Sequence, residues 1–258
     1  MTYSATEIMT IAAARALHND DVCFVGIGLP SAACNVARLT HAPGITLIYE
    51  SGTIAARPTV LPLSIGDGEL CETALTTVSV PEMFRYWLQG GRITVGFLGG
   101  AQVDRYGNLN STVIGRYHEP KVRLPGAGGA PEIAASCGRV FIIMRHNPRA
   151  FVNKLDFVTT LGHGVSGRER RGLGIATAGP CLLVTDLCIL EPEPETNEFV
   201  VTALHPGVEC DQVRRSTGWP LRFAPEVRGT DAPSVDELGV LRDLNARTAR
   251  AHGRAVAE

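Results

Sequence analysis

Ile45-Thr46-Leu47-Ile48-Tyr49-Glu50-Ser51-Gly52 reads as a buried strand that stops at an acidic residue and a tight-turn pair. The run from Ile45 to Tyr49 is nearly continuously apolar, which suits a strand covered on both faces in a parallel sheet. Ser51-Gly52 then supplies turn chemistry. Open α/β sheets hold their ligands outside the carboxyl ends of such strands. Glu50 is therefore a candidate functional carboxylate, weighed against the plainer alternative of a strand-end Glu that hydrogen-bonds its own turn.

Upstream, Val22-Cys23-Phe24-Val25-Gly26 is a second short apolar strand. Gly26-Ile27-Gly28-Leu29-Pro30 turns it into a helix predicted to run to about Leu39, with Pro30 pre-set for the first turn. Ser4-Ala5-Thr6-Glu7 has capping-box spacing ahead of a helix predicted from about Ala5 to His18. Ala56 to Ser79, rich in Pro, Gly and Thr, predicts an irregular excursion. Pro81 to Gln89 predicts a helix stopped by Gly90-Gly91, and Ile93 to Leu98 and Val140 to Met144 predict strands. Gly162 to Gly174 reads as a mobile, charged loop. Leu182 to Thr185 and Glu198 to Leu204 read as strands joined by an acidic turn at Glu191-Pro192-Glu193-Pro194-Glu195. Asp211 to Arg215 and Ser234 to Ala251 predict helices, the second again with a capping-box pair, Ser234 and Glu237. Strands alternating with helices or long crossovers predict an α/β fold, a mainly parallel sheet with helices on both faces. No repeat, low-complexity tract or boundary stands out, so residues 1–258 are expected to form a single domain.

A chain of 258 residues with 45% hydrophobic and 19% charged side chains has the balance of a globular protein with a sizeable core. Its formal net charge of −2 and lack of a long basic run leave no footprint for nucleic acid or an anionic membrane, and neither is expected as a partner. The seven cysteines show no C-x-x-C spacing, which favours reduced thiols in a cytoplasmic protein over a disulfide frame or a zinc site. No apolar run reaches the ~20 residues that span a bilayer. Gly26-Ile27-Gly28 can offer backbone N–H groups to an anion. It lacks the third glycine and distal acid of a dinucleotide site, so no nicotinamide cofactor is expected.

Two further segments offer what a reactive carboxylate needs. Gly99-Gly100-Ala101-Gln102-Val103-Asp104-Arg105-Tyr106-Gly107-Asn108-Leu109-Asn110-Ser111-Thr112 provides close-approach backbone and side-chain amides. Gly126-Ala127-Gly128-Gly129-Ala130 provides backbone donors with no side chain in the way. With Tyr49-Glu50-Ser51-Gly52 and Tyr117-His118-Glu119-Pro120-Lys121, these segments resemble the β subunit of family I CoA-transferases, closest to the glutaconate type. The resemblance runs from roughly Ile11 to Val201.

That resemblance implies a double displacement on a CoA thioester. A thioester is activated toward a carboxylate, because sulfur donates weakly into the carbonyl and leaves readily as a thiolate. Glu50 would be the covalent nucleophile, carrying CoA as a glutamyl thioester between half-reactions. Gly128 and Gly129 would bind the tetrahedral oxyanion. Gln102 and Asn110 would be neutral donors that orient Glu50 or hold the thioester or pantetheine amide, with the alternative that either locks its own loop. The route needs no metal and no bound cofactor, coenzyme A entering as the substrate thioester.

His118 and Glu119, neighbours on an extended segment, point to opposite sides, which favours surface roles. Asp104 reads as a turn residue. Family I enzymes have two related halves and this chain matches the one carrying the glutamate. The resemblance thus implies a separate α subunit, in a heteromer of α2β2 or higher. Two rival functions stay open: a CoA-thioester-dependent carbon–carbon hydrolase (ring-opening) or decarboxylase on the same fold, and a non-catalytic partner subunit. The Glu-Ser-Gly motif speaks against the first, and a carboxylate kept beside glycine donors against the second.

Overall fold

The computed structural model describes residues 2–253, which divide into two compact units, 2–97 with 232–253 and 98–231. The first unit opens with α1 (Ala5–Arg15), whose capping box forms as predicted, the Glu7 N–H donating to Ser4 Oγ and the Ser4 N–H to Glu7. Residues Ile8 to Ala14 are all buried, so this helix has no solvent stripe. β1 (Val22–Val25) leads through Gly28, at φ +81°, into α2 (Leu29–Leu39), and β2 (Thr46–Tyr49) lies parallel to β1 with Val25 opposite Tyr49. β3 (Thr53–Ile54) follows, and α3 (Gly68–Glu72) and β4 (Thr76–Thr77) give the predicted irregular stretch short elements of its own.

The helix predicted over Pro81 to Gln89 begins as α4 (Val80–Glu82) and continues as a π-helix over Met83–Leu88. Its wider turn lets Met83 and Leu88, five residues apart, both reach the core. β5 (Val95–Leu98) pairs parallel with β1 on the side away from β2, giving the order β5-β1-β2-β3-β4, with the last two pairings antiparallel. The C-terminal helix Val235–Ala251 packs on α1 and α2, and Arg15 bridges to it through two 2.7 Å hydrogen bonds to the two carboxylate oxygens of Glu237.

The second unit starts with two hairpins, β6 (Gln102–Val103) with β7 (Leu109–Asn110) and β8 (Val113–Arg116) with β9 (Glu119–Arg123). α5 (Ala130–Ser136) precedes β10 (Arg139–Ile143), and α6 (Glu169–Gly172) precedes β11 (Pro180–Val184), which runs parallel to β10. β12 (Cys188–Pro192), β13 (Phe199–Leu204), α7 (Cys210–Arg215) and β14 (Phe223–Gly229) complete the order β14-β13-β12-β11-β10. Here the structure corrects one expectation: the acidic turn joins β12 to β13, because β12 intervenes between the two strands read from sequence. The chain reverses after β11 through Thr185, whose Oγ1 accepts the Cys188 N–H at 2.9 Å. The architecture is the α/β, mainly parallel one that the sequence predicts, with antiparallel additions at β3, β4 and β12.

Candidate active site

Glu50 is the first residue beyond β2, and the β1–β2 register sets Gly26, the first residue beyond β1, beside it. A tight turn returns the chain there, the Gly52 N–H donating to the Tyr49 carbonyl at 3.0 Å. Gly52 sits at φ +103°, and a Cβ on it would lie 2.0 Å from the Val78 carbonyl oxygen, so only glycine fits. The turn is clamped from the other side by the Val78 N–H donating to the Gly52 carbonyl at 2.9 Å. Beneath it, Tyr49 is fully buried with its hydroxyl 3.1 Å from Ser31 Oγ, and burial holds that phenol well above its ordinary range.

The carboxylate of Glu50 is partly buried and has no hydrogen-bond or ion-pair partner among the described residues. That departs from the plain alternative, in which a strand-end carboxylate caps its own turn. Ser51 Oγ and Thr53 Oγ1, on either side of Gly52, are buried without partners as well. Buried hydroxyls are normally paired, so two unsatisfied ones directly after a partnerless carboxylate single this turn out as a candidate site.

In the second unit, Gln102 and Asn110 face each other across the β6–β7 ladder. Asn110 is fully buried: its Nδ2 donates to Gln102 Oε1 at 2.8 Å and to the Val113 carbonyl at 2.7 Å, while its Oδ1 accepts the N–H groups of Thr112 and Val113. Every valence of that amide is used inside the fold. Gln102 Oε1 also accepts the Asp156 N–H, and its Nε2 donates to Asp156 Oδ2 at 3.0 Å, leaving one amide hydrogen uncommitted. Asp156, 54 residues along the chain, was not legible as their partner.

Gly126 and Gly128 adopt positive φ, +106° and +50°, and Gly129 caps α5. The Gly126 N–H is taken by the Ser111 carbonyl, whereas those of Gly128 and Gly129 have no partner among the described residues. Nothing lies within 4 Å of a Cβ at Gly128, so its approach is open. Adjacent free N–H groups on an open glycine turn are suited to stabilise a developing oxyanion.

Asp104 is the turn residue expected, its Oδ1 accepting the N–H groups of Tyr106 and Asn108 at 3.0 and 3.1 Å, with burial raising its pKa. His118 lies exposed at the tip of the β8–β9 hairpin. Gly162 and Gly164, in the stretch read as a mobile loop, are anchored by N–H donation to Asn108 Oδ1 at 2.8 and 3.2 Å. Among the described residues, no three His, Cys, Asp or Glu side chains are grouped to hold a metal ion, and no helix is long and apolar enough to cross a membrane.

A strand-end carboxylate on an α/β frame, with unpaired glycine donors elsewhere in the chain, has the parts of an acyl-transfer enzyme. The family model of coenzyme A transferases matches residues 6–216, and the chain belongs to that family. It is 64% identical to the B subunit of the 3-oxoadipate CoA-transferase of Pseudomonas knackmussii, over 98% of this chain and 97% of that one. Identity to the B subunit of the glutaconate CoA-transferase of Acidaminococcus fermentans is 36%, covering 93% and 92%. The crystal structure of glutaconate coenzyme A-transferase from the same organism superposes with a TM-score of 0.88 at 33% identity, over 93% of this chain and 94% of that one.

Proposed function

We propose that this chain is the nucleophile-bearing subunit of a heteromeric CoA-transferase and that Glu50 carries CoA covalently. The observation that supports this most is the unpartnered, partly buried carboxylate held at the end of β2 in a chain of this family. Glu50 attacks the thioester carbonyl of an acyl-CoA, the tetrahedral oxyanion collapses with cleavage of the C–S bond, and CoA leaves as thiolate, so that a mixed anhydride of Glu50 and the acyl group remains. The thiolate attacks the Glu50 carbonyl, releasing the donor acid and forming the glutamyl thioester. An acceptor carboxylate attacks that carbonyl and expels CoA again. The thiolate then attacks the acceptor's carbonyl, regenerating Glu50. No proton, metal or redox step is required by this balance.

Gly128 and Gly129 are assigned to the oxyanion of each tetrahedral intermediate, where loss of one donor costs about 3 kcal/mol. Gln102 and Asn110 are assigned to the wall that receives the thioester. Asn110 acts by holding Gln102, whose spare amide hydrogen is the group left to meet a substrate carbonyl. Residues 1–258 act as one subunit, the match over residues 6–216 entering both compact units. A separate α subunit completes the cleft in an α2β2 or larger assembly, in keeping with relatives that are each the B subunit of their enzyme. The cytoplasm is the compartment this reading favours, given seven cysteines none of which is in a disulfide.

The acceptor proposed for this chain is 3-oxoadipate, a dicarboxylic acid with a 3-oxo group, in preference to glutaconate, a reading supported by the 64% against 36% identity of the two relatives. The test is to co-express the chain with a CoA-transferase α subunit and follow CoA transfer to each acid from a panel of acyl-CoA donors. Faster transfer to 3-oxoadipate supports the reading. Turnover by the isolated chain, or hydrolysis without transfer, overturns it.

A further inference from the structure

Arg168-Glu169-Arg170-Arg171 lies in the stretch that reads from sequence as a mobile, charged loop, yet Arg170 is buried, only 6% exposed. Its guanidinium donates through Nε to the Thr177 carbonyl, through Nη1 to the Gly162 carbonyl at 3.0 Å, and through Nη2 to the Ala134 carbonyl and Thr177 Oγ1, both at 2.8 Å. Every one of those acceptors is neutral, so the hydrogen bonds are satisfied while the charge is not balanced. The seat is built for it. Gly179 lies at φ +86° against the guanidinium, where a Cβ would come within 2.9 Å of Cζ. A buried charge normally has an opposite charge beside it, because desolvation alone is costly.

This cation lines a cavity of about 510 Å³ together with Arg168 and Arg171. Both are exposed and have no carboxylate partner among the described residues. Glu195 is the one carboxylate in the lining, and His163 is kept neutral at physiological pH by burial, its Nε2 within 2.7 Å of the Pro180 carbonyl. Glu169 is turned away, its carboxylate accepting from the Ser166 N–H and hydroxyl. Three guanidinium charges against one carboxylate leave a surplus of two positive charges around a polar hollow.

We propose that this cavity is a binding site for a phosphate-monoester dianion. Arg168 and Arg171 close on its oxygens, and Arg170, fixed at the wall, supplies a charge that the fold does not otherwise neutralise. Guanidinium forks pair bidentately with phosphate oxygens, and a phosphate-monoester dianion brings two negative charges and three acceptor oxygens on a single group, which matches the surplus of two positive charges. The cavity also has a physical link to the proposed chemistry: Arg170 holds the Ala134 carbonyl and Thr177 Oγ1 holds that of Ala135, both in α5, whose first turn follows Gly128-Gly129. α5 has seven residues, so the glycine pair stands about 10 Å from that anchor. Two sources share the ligand chemistry: the 3′-phosphate of the CoA ester, which rests on the transferase reading, and a free phosphate or phosphorylated metabolite acting as an effector.

The experiment titrates inorganic phosphate into the assembled heteromer by calorimetry, for the wild type, for Arg168→Ala/Arg171→Ala and for Arg168→Lys/Arg171→Lys. Saturable binding in the wild type, at least 10-fold weaker in the alanine pair and partly restored in the lysine pair, supports the site. Absence of saturable phosphate binding to the wild type, or equal binding by the alanine pair, overturns it. A second arm compares KM for an acyl-CoA and for its 3′-dephospho analogue. A wild-type preference for the phosphorylated ester that shrinks about 10-fold in the alanine pair assigns the site to CoA. An unchanged preference alongside lost phosphate binding assigns it to a free effector. Should the heteromer transfer no CoA at all, the transferase reading fails while the phosphate titration still decides the site.

Discussion

Gly52→Ala places a methyl group where the structure has none to spare. The residue sits at φ +103°, and the added Cβ would lie 2.0 Å from the Val78 carbonyl oxygen, a backbone atom one residue past β4 that gives way only if the chain itself shifts. Left-handed backbone costs an L-residue about 1–2 kcal/mol. Overpacking adds about 1–3 kcal/mol, for an expected total of about 2–5 kcal/mol. Gly91→Ala is the matched control: it too has positive φ, +71°, but nothing lies within 4 Å of its Cβ, so only the first cost of about 1–2 kcal/mol applies. Urea unfolding followed by fluorescence, with half-buried Trp87 of the same unit as a reporter, measures both. The same shift also moves Glu50, two residues away, and a displacement of about 1 Å of an attacking group can cost ~100-fold in rate. Equal stabilities of the two variants, or full transferase activity in Gly52→Ala, would refute the view that this clamped turn presents the nucleophile.

Glu50→Gln should fold normally and lose nearly all transfer in steady-state assays lasting minutes, while Glu50→Asp keeps a trace, about 1%. Wild-type hydrolysis or decarboxylation of a CoA ester by Glu50→Gln would favour the carbon–carbon-cleaving alternative. Asn110→Ala removes an amide with four internal hydrogen bonds and should destabilise by about 3 kcal/mol, read from the urea midpoint. The Arg15 guanidinium holds the Glu237 carboxyl down at about 2, against an ordinary 4.5. A lowered folded-state pKa stabilises the chain above the unfolded value, and that stabilisation drains away as pH falls from 4.5 through about 2. Glu237→Gln should flatten the fall of Tm across this window, and an unchanged slope would contradict the assignment.

The parts of the fold set by local chemistry were legible. Ser4 with Glu7 and Ser234 with Glu237 form the capping boxes their spacing announces, because an i, i+3 pair needs nothing from the rest of the chain. The apolar run before Glu50 forms β2 because a strand buried on both faces needs no alternation. Features that depend on distant partners were not legible. The π-helix at Met83–Leu88 differs from an α-helix by one residue per turn, too little for a short apolar pattern to register. β12 was obscured by Glu191-Pro192 at its end, which read as turn. Arg170 fell inside the stretch that reads as a mobile loop because its acceptors, from Ala134 to Thr177, come from three separate stretches of chain. Gln102 and Asn110 were legible as candidates, but their mutual lock and its Asp156 anchor appear only in the folded hairpin.

The most direct test is to trap the intermediate. The assembled heteromer is incubated with an acyl-CoA in the absence of an acceptor acid, treated with borohydride, and digested for peptide mass mapping. CoA is expected to accumulate on Glu50 as a thioester, and reduction to convert that side chain to a primary alcohol and abolish activity. A heteromer that continues to transfer CoA with Glu50 unmodified would contradict it.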